Sequence, residues 1–112
     1  MSVRTAYPAL LAALVLLLGC ALPAQAHRVK IFAYTDGETI YTESSFSQSS
    51  PAKGAAITVT DARGETVHQG YTDDDGKHDF PIPANAQGDL TITVDAGEGH
   101  QNQWVLTEAE YR

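Results

Sequence analysis

The chain has 112 residues, of which 14 are acidic and 7 basic, and this imbalance gives a net charge of −7. Such an excess of negative charge argues against binding to nucleic acid, whose phosphates attract Lys and Arg. The chain contains one cysteine, so an intramolecular disulfide is excluded and a domain of this size depends on its core, a metal or a partner.

The first 26 residues have the pattern of a cleavable secretory signal peptide. Arg4 precedes the apolar run Ala9–Leu18, and the small-residue tripeptide Ala24–Ala26 follows it. A charged segment, a short apolar segment and an A-x-A site define such signals, and the run is too short to span a bilayer comfortably. We predict export to the periplasm and a mature domain of 86 residues, 27–112, which without Arg4 has a net charge of −8.

An alternative interpretation of the same segment is a lipoprotein signal. The sequence Leu17-Leu18-Gly19-Cys20 resembles a bacterial lipobox, in which Cys20 becomes the acylated first residue. The protein would then be anchored to the membrane through Cys20, and the mature chain would begin there rather than at His27.

The mature chain follows the period of β-strands and lacks sustained helical periodicity. Alternation is clearest in Ile57–Thr60 and Leu90–Val94, which is typical of strands with one buried face. Seven short strands separated by turns predict an all-β fold, a seven-stranded antiparallel β-sandwich or a barrel. The predicted strands are Arg28–Thr35, Glu38–Phe46, Ala56–Thr60, Thr66–Tyr71, His78–Ile82, Leu90–Asp95 and Gln103–Thr107, and the predicted core includes Ile31, Ala33, Ile57, Val59, Leu90, Ile92 and Val94.

The first two strands are predicted to form a hairpin around Asp36-Gly37. This dipeptide is a strong signal for a two-residue type I′ turn. In that register Phe32 faces Tyr41 and Lys30 faces Glu43, an aromatic pair and an opposite-charge pair that would each stabilise the hairpin by about 0.2–1 kcal/mol.

Two Asp- and Gly-containing segments, Asp61–Gly64 and Asp73–Gly76, are predicted to be turns with the glycine in the left-handed conformation. The three successive aspartates of the second segment also suggest calcium. The EF-hand pattern, however, requires oxygen ligands at alternate positions, and Tyr71 stands at the first of them. We therefore interpret both segments as turns.

The histidines are the candidate site residues. Cleavage after Ala26 would make His27 the first residue, whose α-amine and imidazole can chelate one metal ion. His100 lies in the Gly97-Glu98-Gly99-His100 loop and is the natural third nitrogen. The expected metals are Ni(II), Co(II) or Cu(II), which nitrogen ligands suit. His68 and His78 are interpreted as surface residues.

Several segments carry a family resemblance. The most specific are the start His27–Tyr34 and the loop Asp95–His100; Tyr41–Ser47, Pro51–Ala55 and Thr72–Gly76 accompany them in order. Together they resemble the extracytoplasmic accessory component, of the NikL/CbiL type, of energy-coupling-factor nickel and cobalt transporters. The central stretch is also similar to carboxypeptidase-regulatory-like and transthyretin-like sandwiches in general.

The resemblance implies a prealbumin-like sandwich that assists uptake of Ni(II) or Co(II) and works with the membrane subunits of a metal transporter. It implies metal affinity at His27 and His100, which match the family's motif positions, and it assigns no role to His68 or His78.

Three other functions remain open at this point. The domain could be an envelope protein-interaction module without metal, using exposed aromatics such as Phe32 and Tyr41. It could be a copper-carrying β-sandwich, because copper exceeds nickel in intrinsic affinity. Transthyretin-like folds also host hydroxyisourate hydrolysis, but no catalytic constellation stands out in the sequence, and we predict that the protein is not an enzyme.

Overall fold

The computed structural model describes residues 28–47 and 50–112, which form a seven-stranded antiparallel β-sandwich. One sheet has the strand order β1-β2-β5 and the other the order β4-β3-β6-β7. The strands are β1 Val29–Thr35, β2 Thr39–Phe46, β3 Ala56–Thr60, β4 Thr66–Tyr71, β5 Lys77–Pro81, β6 Leu90–Asp95 and β7 Gln101–Leu106, and one short helix, α1, spans Glu108–Tyr111. The predicted all-β sandwich is confirmed.

The alternating residues form the core between the two sheets. In β1, β3 and β6 every second side chain is buried, which is how a sheet covers one face and solvates the other. Ile57, Val59 and Ile92 are at most 1% exposed. All seven predicted core residues are buried, together with others such as Ile40, Phe80 and Leu106.

The edges of the sheets determine which side chains meet across the sandwich. Strand β1 lies beside β7, the edge of the other sheet. The remaining edges, β5 of the three-stranded sheet and β4 of the four-stranded sheet, therefore lie on the opposite side. Residues of β4 and β5 that face inward can meet there.

The predicted register of the first hairpin is wrong by two residues. Thr35 pairs with Ile40, and Tyr34, not Phe32, lies opposite Tyr41. Lys30 lies opposite Ser45 rather than Glu43.

The physical reason for the longer loop is the side chain of Asp36. Its Oδ1 accepts hydrogen bonds from the backbone N–H groups of Glu38 and Thr39, each at 2.9 Å. Thr35 Oγ1 accepts a further bond from the N–H of Gly37. Asx turns of this kind satisfy backbone donors inside the loop. Because the shift is an even number of residues, the predicted inward faces of both strands are preserved.

Both predicted turns are present. Gly64 N–H donates to Asp61 O at 2.9 Å, and Gly76 N–H donates to Asp73 O at 3.0 Å. The φ angles of Gly64 and Gly76 are 78° and 76°, in the left-handed region that glycine occupies at little cost. The Asp73 carboxylate accepts bonds from the backbone N–H groups of Asp75, within the turn, and Lys77, the first residue of β5.

Helix α1 closes one end of the sandwich and was not expected from the sequence, because four residues are too short to show helical periodicity. Tyr111 is buried and its hydroxyl donates to Gly88 O at 2.6 Å. Glu108 Oε2 accepts from the N–H of Gly88 at 2.9 Å, so α1 is attached to the β5–β6 loop. No helix within residues 28–47 and 50–112 is long and apolar enough to cross a membrane.

Candidate functional site

The N-terminal half of the predicted metal site lies outside the described residues. His27, the predicted signal peptide 1–26 and the alternative lipidation site Cys20 all precede Arg28, where the description begins. The role of His27 therefore stays a prediction. The structure describes only the residues around the start of β1, which follows His27 in the chain.

His100 closes the tight loop between β6 and β7. Its backbone N–H donates to Gly97 O and its backbone O accepts from Ala96 N–H, both at 2.9 Å. Between these bonds Gly97, Glu98 and Gly99 all have positive φ, with Glu98 at 53°. A left-handed glutamate is uncommon, and the flanking glycines are the residues that make so sharp a loop accessible.

The imidazole of His100 is half-buried and packs against an aromatic residue of the other sheet. Its ring meets that of Phe46 edge-on, with the centroids 6.3 Å apart and the planes at 87°. This is a favourable aromatic geometry. Phe46 is the last residue of β2 and pairs with Val29, the first residue of β1.

A hydrogen bond ties the same end of β1 to the residues after His100. Asn102 Nδ2 donates to the backbone O of Val29 at 3.0 Å. His27 precedes Val29 by two residues, which span at most about 7 Å when extended. The loop carrying His100 and the start of β1 thus lie at one end of the sandwich.

The described residues alone do not make a complete metal centre at this end. In the ranges 28–47 and 50–112, no group of three or more His, Cys, Asp or Glu side chains is arranged to hold an ion. A tightly held transition metal at His100 would therefore need ligands from outside the described residues or from water.

The structure brings together two other histidines, contrary to their interpretation as separate surface residues. Nε2 of His68 lies 2.8 Å from Nε2 of His78. The ring centroids are 5.1 Å apart and the planes differ by 26°, so the two imidazoles meet end to end in nearly one plane. One ring must donate its Nε2–H to the lone pair of the other.

The histidine pair lies where the edge strands of the two sheets adjoin, with one histidine on each strand. His68 lies opposite the core residue Val59 in β3, and His78 lies opposite the buried Thr42 in β2. Directly opposed residues share a face, so both imidazoles point between the sheets. Thr42 Oγ1 also donates to His78 O at 2.7 Å, which fixes the backbone of β5 at this point.

Two further residues hold the rings in place. The ring of Phe80 lies nearly parallel to that of His68, with centroids 4.3 Å apart and planes at 10°. Gly70 leaves the space that the His78 ring occupies, because a Cβ there would collide with Cε1 and Nε2 of His78. Burial, and then the neighbouring His78, lower the pKa of His68 below its usual value, which favours the neutral ring.

Sequence signals for the pair existed but were weak. His78 and Phe80 alternate with the exposed Asp79 and Pro81, which is the pattern of an inward-facing edge strand. Gly70 follows His68 at the same phase of β4 and marks a close approach. Connecting the two signals requires knowing that β4 and β5 belong to different sheets, and local patterns do not contain that information.

An exposed aromatic surface occupies the side of the sandwich near β1. It consists of Phe32, Tyr34, Tyr41 and Trp104. The ring of Tyr34 stacks on Tyr41 at 5.1 Å and on Phe32 at 5.8 Å, and Trp104 meets Phe32 edge-on at 6.4 Å. Phe32, Tyr34 and Trp104 remain 44%, 48% and 39% exposed. The predicted Phe32–Tyr41 pair is thus replaced by a larger cluster.

Comparisons with protein-family models, with curated proteins and with solved structures found no match to this chain.

Proposed function

We propose that this protein is a periplasmic metal-handling accessory protein that binds Ni(II) or Co(II) through the amine and imidazole of His27, with His100 as the third nitrogen. The observation that carries the proposal is the bond between Asn102 Nδ2 and Val29 O at 3.0 Å. It holds the start of β1 beside the loop of His100, within reach of a terminal histidine two residues upstream.

The chemistry of this ligand set suits late transition metals. A terminal amine and an imidazole from one residue form a chelate, and a second imidazole makes the site nitrogen-rich. Ligation requires the amine and both imidazoles to be unprotonated, so metal uptake releases protons. Phe46 packs against the His100 ring and restricts its orientation, which reduces the entropy lost on binding.

The resemblance to the NikL/CbiL-type component supports a role in delivering the metal to membrane subunits of a nickel or cobalt transporter. The mature domain carries a net charge of −8, and a negative surface raises the local concentration of cations. A copper-carrying role is the variant that the same ligand set allows, because Cu(II) binds nitrogen ligands more tightly than Ni(II) does.

The His100→Ala substitution tests the assignment of the third nitrogen. We expect the processed protein, starting at His27, to lose at least about tenfold in Ni(II) affinity on removal of this ligand. Isothermal titration with Ni(II), Co(II) and Cu(II) measures the change and ranks the metals. Glu98→Ala, in the same loop and exposed, is the matched control and should retain the wild-type affinity. Equal Ni(II) affinities for the His100→Ala variant and wild type would contradict the assignment.

The exposed aromatic surface favours a second candidate, a protein-interaction module of the cell envelope. Aromatic side chains are enriched in the cores of protein interfaces, and Phe32, Tyr34 and Trp104 are exposed and in contact with one another. This function requires no metal, so the titrations above separate the two candidates.

A further inference from the structure

We propose that His68 and His78 form a second metal site, which takes one Cu(II) or Ni(II) ion in two neighbouring coordination positions through their Nε2 atoms. The site lies at the adjoining β4 and β5 edges, whereas His100 lies in the β6–β7 loop beside the start of β1. It does not depend on the site proposed at His27 and His100.

The distance between the two nitrogens fits such an ion. Nitrogens bound at about 2.0–2.1 Å in neighbouring positions of a tetragonal site lie about 2.9 Å apart. The Nε2 atoms of His68 and His78 are 2.8 Å apart before any ion is present. When the two rings tilt, their Nε2 lone pairs turn away from each other and toward the ion. The distance between the two nitrogens changes little.

The proton that now joins the two rings is the group that the metal replaces. Two Nε2–H groups cannot face each other at hydrogen-bond distance, so one Nε2 of the pair holds a free lone pair and the other a proton. Binding of M²⁺ forms two metal–nitrogen bonds, and the donor ring gives up its Nε2 proton while its Nδ1 takes one up from solvent. Both rings are then neutral with their single proton on Nδ1, and no net proton is released.

The surrounding residues hold the two Nε2 atoms close together. His68 stacks on the buried Phe80, and the His78 ring fills the space above Gly70. The two side chains come from strands of different sheets, so their separation is set by the packed core rather than by a flexible loop. Because the nitrogens already lie at the binding separation, less conformational entropy is lost on binding, and only the tilt of the two rings has to change.

Water completes the coordination of the proposed ion. Both histidines are half-buried, so one side of the pair is open to solvent. Within residues 28–47 and 50–112 no third His, Cys, Asp or Glu side chain is arranged with the pair to hold an ion. With only two imidazoles and water as ligands, the site exchanges its metal readily. Ready exchange suits the loading and transfer of a metal ion more than its storage.

The test uses the processed protein with both His27→Ala and His100→Ala, so that the two imidazoles of the first proposed site are removed. Titration with Cu(II) should then leave one bound ion per chain. Adding Gly70→Ala retains both imidazoles but displaces the His78 ring, and it should weaken this binding by more than about tenfold. Gln69→Ala, an exposed neighbour on β4, is the matched control and should leave the affinity unchanged.

A second variant and a spectroscopic measurement guard against misfolding as the cause. His78→Phe removes a ligand but keeps an aromatic ring beside Phe80, and it should also abolish the bound ion while the circular dichroism spectrum stays that of a sandwich. In NMR spectra, sub-stoichiometric Cu(II) should broaden the ring protons of His68 and His78 first. Undiminished Cu(II) binding in both Gly70→Ala and His78→Phe, or the absence of any bound ion in the starting variant, would overturn the proposal. Neither outcome bears on Ni(II) binding by His27 and His100.

Discussion

Asp61 shows how one carboxylate organises two loops of this domain. Its side chain is buried and accepts bonds from the guanidinium and backbone N–H of Arg63 and from the N–H groups of Glu65 and Gln87. The β3–β4 turn is thereby joined to the loop before β6. The Arg63 side chain is the largest influence that lowers the pKa of Asp61 to about 2.

The lowered pKa of Asp61 predicts a loss of stability in acid. Its folded-state value of about 2 lies below the ordinary value of 3.8, so the unfolded chain takes up the proton first. The stabilisation is complete above the ordinary value and declines as the pH falls toward 2. Urea unfolding between pH 5 and pH 2 should show that the free energy of unfolding of wild type falls toward that of Asp61→Asn. Asp74→Asn, at an exposed turn position, should follow wild type, and a pH-independent gap between wild type and Asp61→Asn would contradict the argument.

At the scale of the strands, β6 is the element on which the larger sheet depends. It pairs with β3 on one side and β7 on the other, and its three inward residues Leu90, Ile92 and Val94 are fully buried. A central strand with one continuous apolar face cannot lose a side chain without leaving a cavity.

Ile92→Ala should therefore lower the free energy of unfolding by about 2–5 kcal/mol, the usual range for truncating a buried aliphatic side chain. Urea unfolding followed by far-UV circular dichroism measures the effect. Gln103→Ala, on the exposed neighbour strand β7, should change stability by less than about 0.5 kcal/mol. A cost for Ile92→Ala as small as that of the control would show that the residue is not part of a packed core.

The strands and their faces could be predicted because alternation is a local property of the sequence. The register of β1 and β2 could not be predicted in this way. The Asp-Gly dipeptide alone indicates a short loop, but the Asp36 side chain accepts hydrogen bonds from the N–H groups of Glu38 and Thr39 and makes the loop longer. The His68–His78 contact could not be predicted either. It depends on which strand edges adjoin, and that is decided by the packing of the whole sandwich.

At the scale of the whole molecule, we propose two places that bind metal through nitrogen ligands. One lies where the β6–β7 loop meets the start of β1, and the other lies between the β4 and β5 edges. The acidic surface favours the arrival of cations at both by long-range attraction, which salt screens. Our central claim is the proposal for the first place, that the terminal amine of His27 supplies a ligand which no internal histidine can offer.

The most direct test of that claim is the Ni(II) affinity of protein beginning at His27, compared with the same protein acetylated at its terminal amine. Acetylation leaves every side chain of the domain in place and removes the terminal amine as a ligand. We predict that the acetylated protein binds Ni(II) at least about tenfold more weakly in isothermal titration. Equal affinity of the two proteins would contradict the N-terminal chelate and favour the interaction module.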